Sequence, residues 1–227
     1  MSKPDYSALD DAGLNLHAVF AIDRLPAELR NALDPENEYK QLILIGNGGR
    51  KLWATLQAEG FTSANPVDDI SVCRVETWFA GQAAGVRHEV IYPGERQIGL
   101  QSLGELAGWH FASPFMVGIN AQWGSWFAYR VALLADTDFE LTPPEAGVSP
   151  CSSCLEKPCI DACSGHAMTD GRFDSQRCVD FRKQSDSTCR ATCIARLACP
   201  VGSEHRYSSE QIRHHYSTSM KIIERYY

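Results

Sequence analysis

Apolar positions in the first 140 residues switch repeatedly between two periods. Leu14, Leu16, Ala18, Phe20 and Ile22 recur at every second position, the spacing of a half-buried strand. Gln41 to Ile45 is a short continuous apolar run of the kind that buried strands carry. It leads into Gly46, Asn47, Gly48 and Gly49 and then a helix-like stretch from Arg50 to Glu59. Asn65 and Pro66 open a helix whose apolar side carries Val67, Ile70, Val75, Trp78 and Phe79. His88 to Tyr92 reads as a short strand, Gln97 to Ala107 as a helix stopped by Gly108, and Trp126 to Leu134 as a strongly apolar strand. The elements predict an α+β sheet domain with connections too varied for a regular parallel α/β fold.

The pattern breaks at residues 142–150, where three prolines and a glycine make a stiff connector that neither helix nor strand tolerates. Residues 1–141 form the expected first domain and residues 151–227 a second, cysteine-rich one poor in large aliphatics. In the second, Asp174 caps about two turns of helix reaching Arg182, and a terminal helix runs from Gln211 to Tyr226.

Charge separates the same halves. Residues 1–149 hold ten Lys and Arg against nineteen Asp and Glu, a net of −9, while residues 150–227 carry a net of +2. An acidic first domain repels phosphate backbones, so no nucleic-acid partner is expected. The apolar fraction of 44% is ordinary for a globular protein. No apolar run reaches the roughly 18 residues of a membrane helix, so no membrane partner is expected either. The polar start, residues 1–7, lacks the apolar core of a secretory signal, so the expected location is cytoplasmic.

In a reducing compartment, clustered cysteines point to metal or redox chemistry before structural disulfides. Eight of the nine cysteines lie between Cys151 and Cys199. The run is Cys151-x2-Cys154-x4-Cys159-x3-Cys163, then Cys178, then Cys189-x3-Cys193-x5-Cys199-Pro200. A bacterial two-cluster ferredoxin uses C-x2-C-x2-C-x3-C-P, the fourth cysteine of each run serving the other cluster. The count here suits two 4Fe-4S clusters, with stretched gaps and Ser164 where proline would follow. The exchange pattern would group Cys151, Cys154 and Cys159 with Cys199, and Cys163 with Cys178, Cys189 and Cys193. Thiolates are the soft anionic ligands that iron–sulfur clusters require. Zinc, or disulfides between former ligands, would use the same residues.

Other signals are weaker. The Gly46–Gly49 stretch reads as a tight strand-to-helix turn in preference to a phosphate cradle, because a dinucleotide fingerprint would need a third spaced glycine. His214 and His215 are adjacent and cannot form an i,i+4 metal pair. Cys73 reads as a small core residue.

Gly108 and Trp109, together with residues 122–130, resemble a segment shared by epoxyqueuosine reductases and CblC-type cobalamin-processing proteins. Residues 100–109 look like the CblC helix that precedes it. The block followed by a linker and an eight-cysteine module is similar to the epoxyqueuosine reductase layout, over roughly residues 95–200. The resemblance implies a nitroreductase-like sheet-and-helix domain that binds cobalamin, then a small ferredoxin-like domain. It places Trp109, Trp126, Phe127, Tyr129 and Arg130 nearest the cofactor. It also implies an iron–sulfur reductase or electron-transfer protein, corrinoid-dependent, that takes electrons from a donor protein and acts on a small molecule or corrinoid. The alternative is a non-catalytic cobalamin-binding or cobalamin-processing protein whose cysteine domain is structural. The family's acidic proton donor has only Glu95 as a counterpart, and the chain is shorter and acidic. Both departures argue against epoxyqueuosine as the substrate.

Overall fold

A computed structural model describes residues 2–143, 147–169 and 172–227. Pro144 to Ala146, within the expected connector, lie outside the described residues. The chain divides into two compact units that are not contiguous in sequence. Unit 1 comprises Met1–Gly108 and Phe127–Ala146, and unit 2 comprises Trp109–Trp126 and Gly147–Tyr227.

Unit 1 contains α1 (Ser7–Ala12), β1 (Leu16–Ala21), α2 (Ala27–Leu33), β2 (Gln41–Gly48), α3 (Lys51–Ala58), α4 (Pro66–Gln82), β3 (His88–Tyr92), α5 (Leu100–Leu106) and β4 (Phe127–Ala135). The four strands form one sheet in the order β1-β2-β4-β3, each pair antiparallel. This is the α+β architecture the periodicities predict. All eight residues of β2 are buried, which explains its continuous apolar run. Burying Leu42, Ile43, Leu44 and Ile45 stabilises the fold by about 1.5–3 kcal/mol per side chain. Val19, Ile43, Ile45, Val131 and Leu133 meet Leu52, Trp53, Val75, Trp78 and Phe79 of α3 and α4 in the main core.

Two local expectations change. Asn65 makes no side-chain cap bond, and Pro66 at the first helical position begins α4 instead. Cys73 is exposed, because Ser71 and Val75 occupy the inward face of α4. Among the described residues, no helix is long and apolar enough to cross a membrane.

Unit 2 adds the short helices α6 (Pro150–Ser153), α7 (Pro158–Asp161), α8 (Ser175–Lys183) and α9 (Ile194–Ala198), and the terminal α10 (Ser209–Tyr226). Asp174 caps α8 by accepting from Arg177 N, as the sequence predicts, and Ser208 caps α10 by accepting from Gln211 N.

A half-buried histidine in unit 1, His17, gives the fold a pH dependence. His17 stacks on Tyr6 at 4.0 Å, and that ring stacks on Trp78 at 5.2 Å. Burial holds the His17 pKa below its usual value, opposed by a hydrogen bond with Leu14 O and by Asp10. A histidine with a depressed folded pKa binds its proton first in the unfolded chain. Stability present above pH about 6.5 should therefore fall as the pH drops through the folded pKa. Urea melts from pH 7.5 to 5 should show this slope. His17→Phe should flatten it while costing about 1 kcal/mol at pH 7.5 for the lost hydrogen bond.

Candidate redox centre

The eight cysteines sit at the ends of short helices and in the loops between them. Cys151 and Cys159 lie in α6 and α7, Cys178 in α8, and Cys193 and Cys199 flank α9. Cys193 is the N-cap of α9, and its sulfur accepts from Arg196 N at 3.4 Å. The Cys163 sulfur likewise accepts from Ala167 N at 3.4 Å. All nine cysteines of the chain are free thiols.

Mutual influence divides the eight into two quartets. Burial, then the Cys199 and Cys154 thiolates, pushes up the pKa of Cys151. Burial followed by Cys199, Cys151 and Cys154 pushes Cys159 up to about 11. Cys178 is raised by burial and then by Cys193, Cys163 and Cys189. Burial also raises Cys193, and Cys189 adds to it. One group is thus Cys151, Cys154, Cys159 and Cys199. The other is Cys163, Cys178, Cys189 and Cys193. Cys163 from the first run joins the second, and Cys199 from the second run joins the first. No group of three or more His, Cys, Asp or Glu among the described residues is placed to hold a single metal ion.

The sulfurs stand in an apolar setting. Phe115, Ile119, Met168 and Ala195 form a small core with Cys159 and Cys199. Beside the second quartet is a cavity of about 360 Å³ lined by Cys163, Cys178, Cys189 and Cys193 together with Phe115, Met168, Phe173 and Phe181. Arg182, His215 and Tyr216 also line it. Sequence reasoning missed these three. Arg182 lies four residues after Cys178 on α8, one helical turn on the same face, and that spacing could have marked it.

Loop 109–126 belongs to unit 2 for a visible reason. Asn120 and Gly124 exchange two backbone hydrogen bonds of 2.7 and 3.0 Å. Gly124 has φ +59, and a Cβ there would stand 2.0 Å from Val201 O. Gly202 returns the constraint, since its Cβ would meet Gly124 N at 2.5 Å. The two backbones touch beside Cys199, at a distance only glycine allows.

The five residues expected around a corrin take separate places. Trp126 is 1% exposed in unit 2, where Arg196 lies over its ring at 4.4 Å and Tyr207 meets it edge-on at 5.4 Å. Trp109, also in unit 2, is buried, and its carbonyl accepts from Asn120 Nδ2 at 3.2 Å. Phe127 and Tyr129 pack edge-to-face at 5.9 Å on β4, and Tyr129 lies against Gly104 of α5. Arg130 points elsewhere, with Nε donating to Asn47 Oδ1 at 2.6 Å and Nη1 at 3.9 Å from Asp68. A bulge separates them: Ile45 pairs with Val131 and Gly46 with Tyr129, leaving Arg130 as the extra residue. Within unit 1, Phe127 and Tyr129 are the pair brought together. Gly46, Asn47 and Gly48 continue β2, paired with Tyr129, Ala128 and Phe127, where the sequence predicts a turn, and Asn47, whose amide also donates to Gly49 O, anchors Arg130. Glu95 is exposed.

Solved structures share this fold. An epoxyqueuosine reductase in complex with an epoxyqueuosine-modified tRNA-Tyr stem loop matches with a TM-score of 0.57 at 14% identity, over 91% of this chain and 66% of its own. The Bacillus subtilis epoxyqueuosine reductase matches at 0.55 and 14% identity, over 89% and 66%. A reductive dehalogenase whose structure suggests a mechanism for B12-dependent dehalogenation matches at 0.53 and 12% identity, over 93% of this chain and 33% of that one. This chain has the epoxyqueuosine reductase fold. It spans 66% of the length of those reductases and a third of the dehalogenase. No protein-family model and no curated protein matches the sequence. The likeness to CblC-type proteins rests on sequence resemblance alone. The expected exclusion of nucleic acid needs correcting, because a protein of this fold is bound to a tRNA stem loop. Net charge is an average over a domain, whereas a phosphate backbone meets a local patch.

Gly124→Ala should strain both loops that cross beside Cys199. Thermal melts should show a loss of about 1–3 kcal/mol, with Gly60→Ala, at an exposed turn with nothing within 4 Å of its Cβ, as the milder control.

Proposed function

We propose that the chain is an iron–sulfur reductase whose two cysteine quartets each hold a 4Fe-4S cluster, unit 2 being a divergent ferredoxin-like module. What supports this reading is that Cys163 of the first run lines one cavity with Cys178, Cys189 and Cys193, the exchange expected of a two-cluster module. The residues present fit the group. Each centre has four soft ligands, and the second has a cavity of about 360 Å³ walled by aromatic side chains. When bound, each cluster supplies a site that takes up and releases one electron. The chain's own part is to hold four sulfurs around each centre and donate N–H groups to Cys163 and Cys193. Phe115, Phe173 and Phe181 keep water away from the second quartet.

The substrate side rests on likeness. A corrinoid acceptor next to a nitroreductase-like unit 1 is favoured by the B12-dependent dehalogenase of the same fold. The tRNA stem loop bound to one reductase makes a modified nucleoside the other substrate class to test. A low-potential electron-donor protein would feed the clusters. Trp109, Trp126, Phe127, Tyr129 and Arg130 have packing roles that do not require a corrin, so no step is assigned to them.

Protein purified without oxygen should be brown and carry about eight iron and eight sulfide per chain. Cys199→Ser and Cys154→Ser should each remove about four of the eight irons and abolish the same spectroscopic signal. Colourless protein with zinc or protected disulfides would support the structural alternative and sink the reductase reading. Hydroxocobalamin titration tests the acceptor separately: a saturable shift of the corrin bands is expected, and no shift at saturation removes the corrinoid.

A further inference from the structure

We infer that Arg182 is a positioning residue for the second quartet: the fork of its guanidinium holds Cys189 at the cavity and fastens that turn to the terminal helix α10. The inference rests on the iron–sulfur reading above and names the side chain on which one of its two centres depends.

Cys163, Cys178, Cys189 and Cys193 line one cavity, but they reach it by different means. Cys178 stands on α8, and Cys193 caps α9 with its sulfur bonded to Arg196 N. The Cys163 sulfur accepts from Ala167 N. Cys189 lies on the irregular stretch between α8 and α9. The local bonds there are turn bonds: Cys189 N donates to Ser187 Oγ at 3.2 Å and Arg190 N to Ser187 O at 3.4 Å. Such bonds fix the shape of a turn. They do not fix where the turn sits against its neighbours.

Arg182 does. It is 8% exposed, lies one helical turn after Cys178 on α8 and lines the same cavity. Nε donates to Cys189 O at 3.2 Å and Nη2 to Arg190 O at 3.4 Å, two successive carbonyls of the ligand turn. Nη2 also donates to Tyr216 O at 3.1 Å, and Nη1 to Ser219 Oγ at 3.1 Å, both on α10. All three nitrogens are engaged, in the planar fork that only a guanidinium presents. A lysine has one nitrogen and cannot span the turn and the helix together.

The α10 end of the fork is itself part of the cavity. His215, Tyr216 and Ser219 line it, and the guanidinium lies over the Tyr216 ring at 5.2 Å. Buried Met220 and Ile223 hold this part of α10 down. One face of α8 therefore carries a ligand, Cys178, and the clamp for a second ligand, with α10 as its far anchor. None of the four acceptors of Arg182 lies on the segments that carry Cys151, Cys154, Cys159 and Cys199. Loss of the fork frees the Cys189 turn and leaves the first quartet in place. A centre short of one firmly placed thiolate holds its iron less tightly.

The test loads the full chain with iron and sulfide, then follows iron release to a ferrous chelator and the electron paramagnetic resonance of the dithionite-reduced protein. Arg182→Gln should release about four of about eight irons roughly 10–100-fold faster than wild type. The signal lost with them should be the one that Cys178→Ser lacks, and the signal kept the one that Cys199→Ser lacks. Arg182→Lys keeps the charge without the fork and should release iron as Arg182→Gln does. Ser219→Ala removes one acceptor on α10 and should speed the same phase by a smaller factor, which keeps the test available if Arg182→Gln fails to fold. A merely structural role would speed both phases together. Release from both centres alike, wild-type retention in Arg182→Lys, or a Ser219→Ala protein indistinguishable from wild type would overturn the inference. Wild-type protein without iron would instead remove the reading it rests on.

Discussion

Four thiols facing one cavity resist ionising together, because each thiolate formed raises the cost of the next. Burial adds to that resistance, and both effects act on Cys178 and Cys193. Arg182 lines that cavity, and Arg182 and Arg196 assemble the unit. Arg182 ties α8 to the carbonyls of Cys189 and Arg190 and to Ser219 and Tyr216 of α10. Arg196 ties α9 to Ser125 and Trp126 at the end of the captured loop. Removing the quartet's charge would leave both guanidiniums buried without compensation, so sulfur chemistry and folding of this unit are coupled.

Periodicity revealed unit 1 more completely than unit 2. The buried strand β2 writes itself directly into the run from Leu42 to Ile45, whereas β1 departs from its alternation by burying both Ala18 and Val19. What periodicity could not reveal is the bulge at Arg130. One extra residue shifts the pairing of everything before it. Tyr129 packs on Gly104 while Arg130 reaches Asn47 and Asp68, as neighbouring strand residues facing opposite ways do. In unit 2 the ferredoxin pattern grouped Cys163 with Cys178, Cys189 and Cys193, the four that line one cavity. The capture of residues 109–126 was not visible. It depends on Gly124 and Gly202 meeting from positions 78 residues apart in sequence, and each glycine alone looks like an ordinary turn.

The shared fold bears on what kind of knowledge transfers. An epoxyqueuosine reductase and a B12-dependent dehalogenase act on very different molecules, yet this chain matches both. A fold hosts sites without dictating them. Substrate choice depends on individual side chains, where the identity of 12 to 14% carries no residue-level argument.

Charge bears on the occupants that eight thiols allow. Disulfides are neutral and would leave Arg182 and Arg196 as buried cations, a penalty of several kcal/mol per ion. Four thiolates around a cationic centre keep a net negative charge, whether that centre is one zinc ion or a four-iron core. Either would answer the guanidinium of Arg182, which lines the cavity of the second quartet.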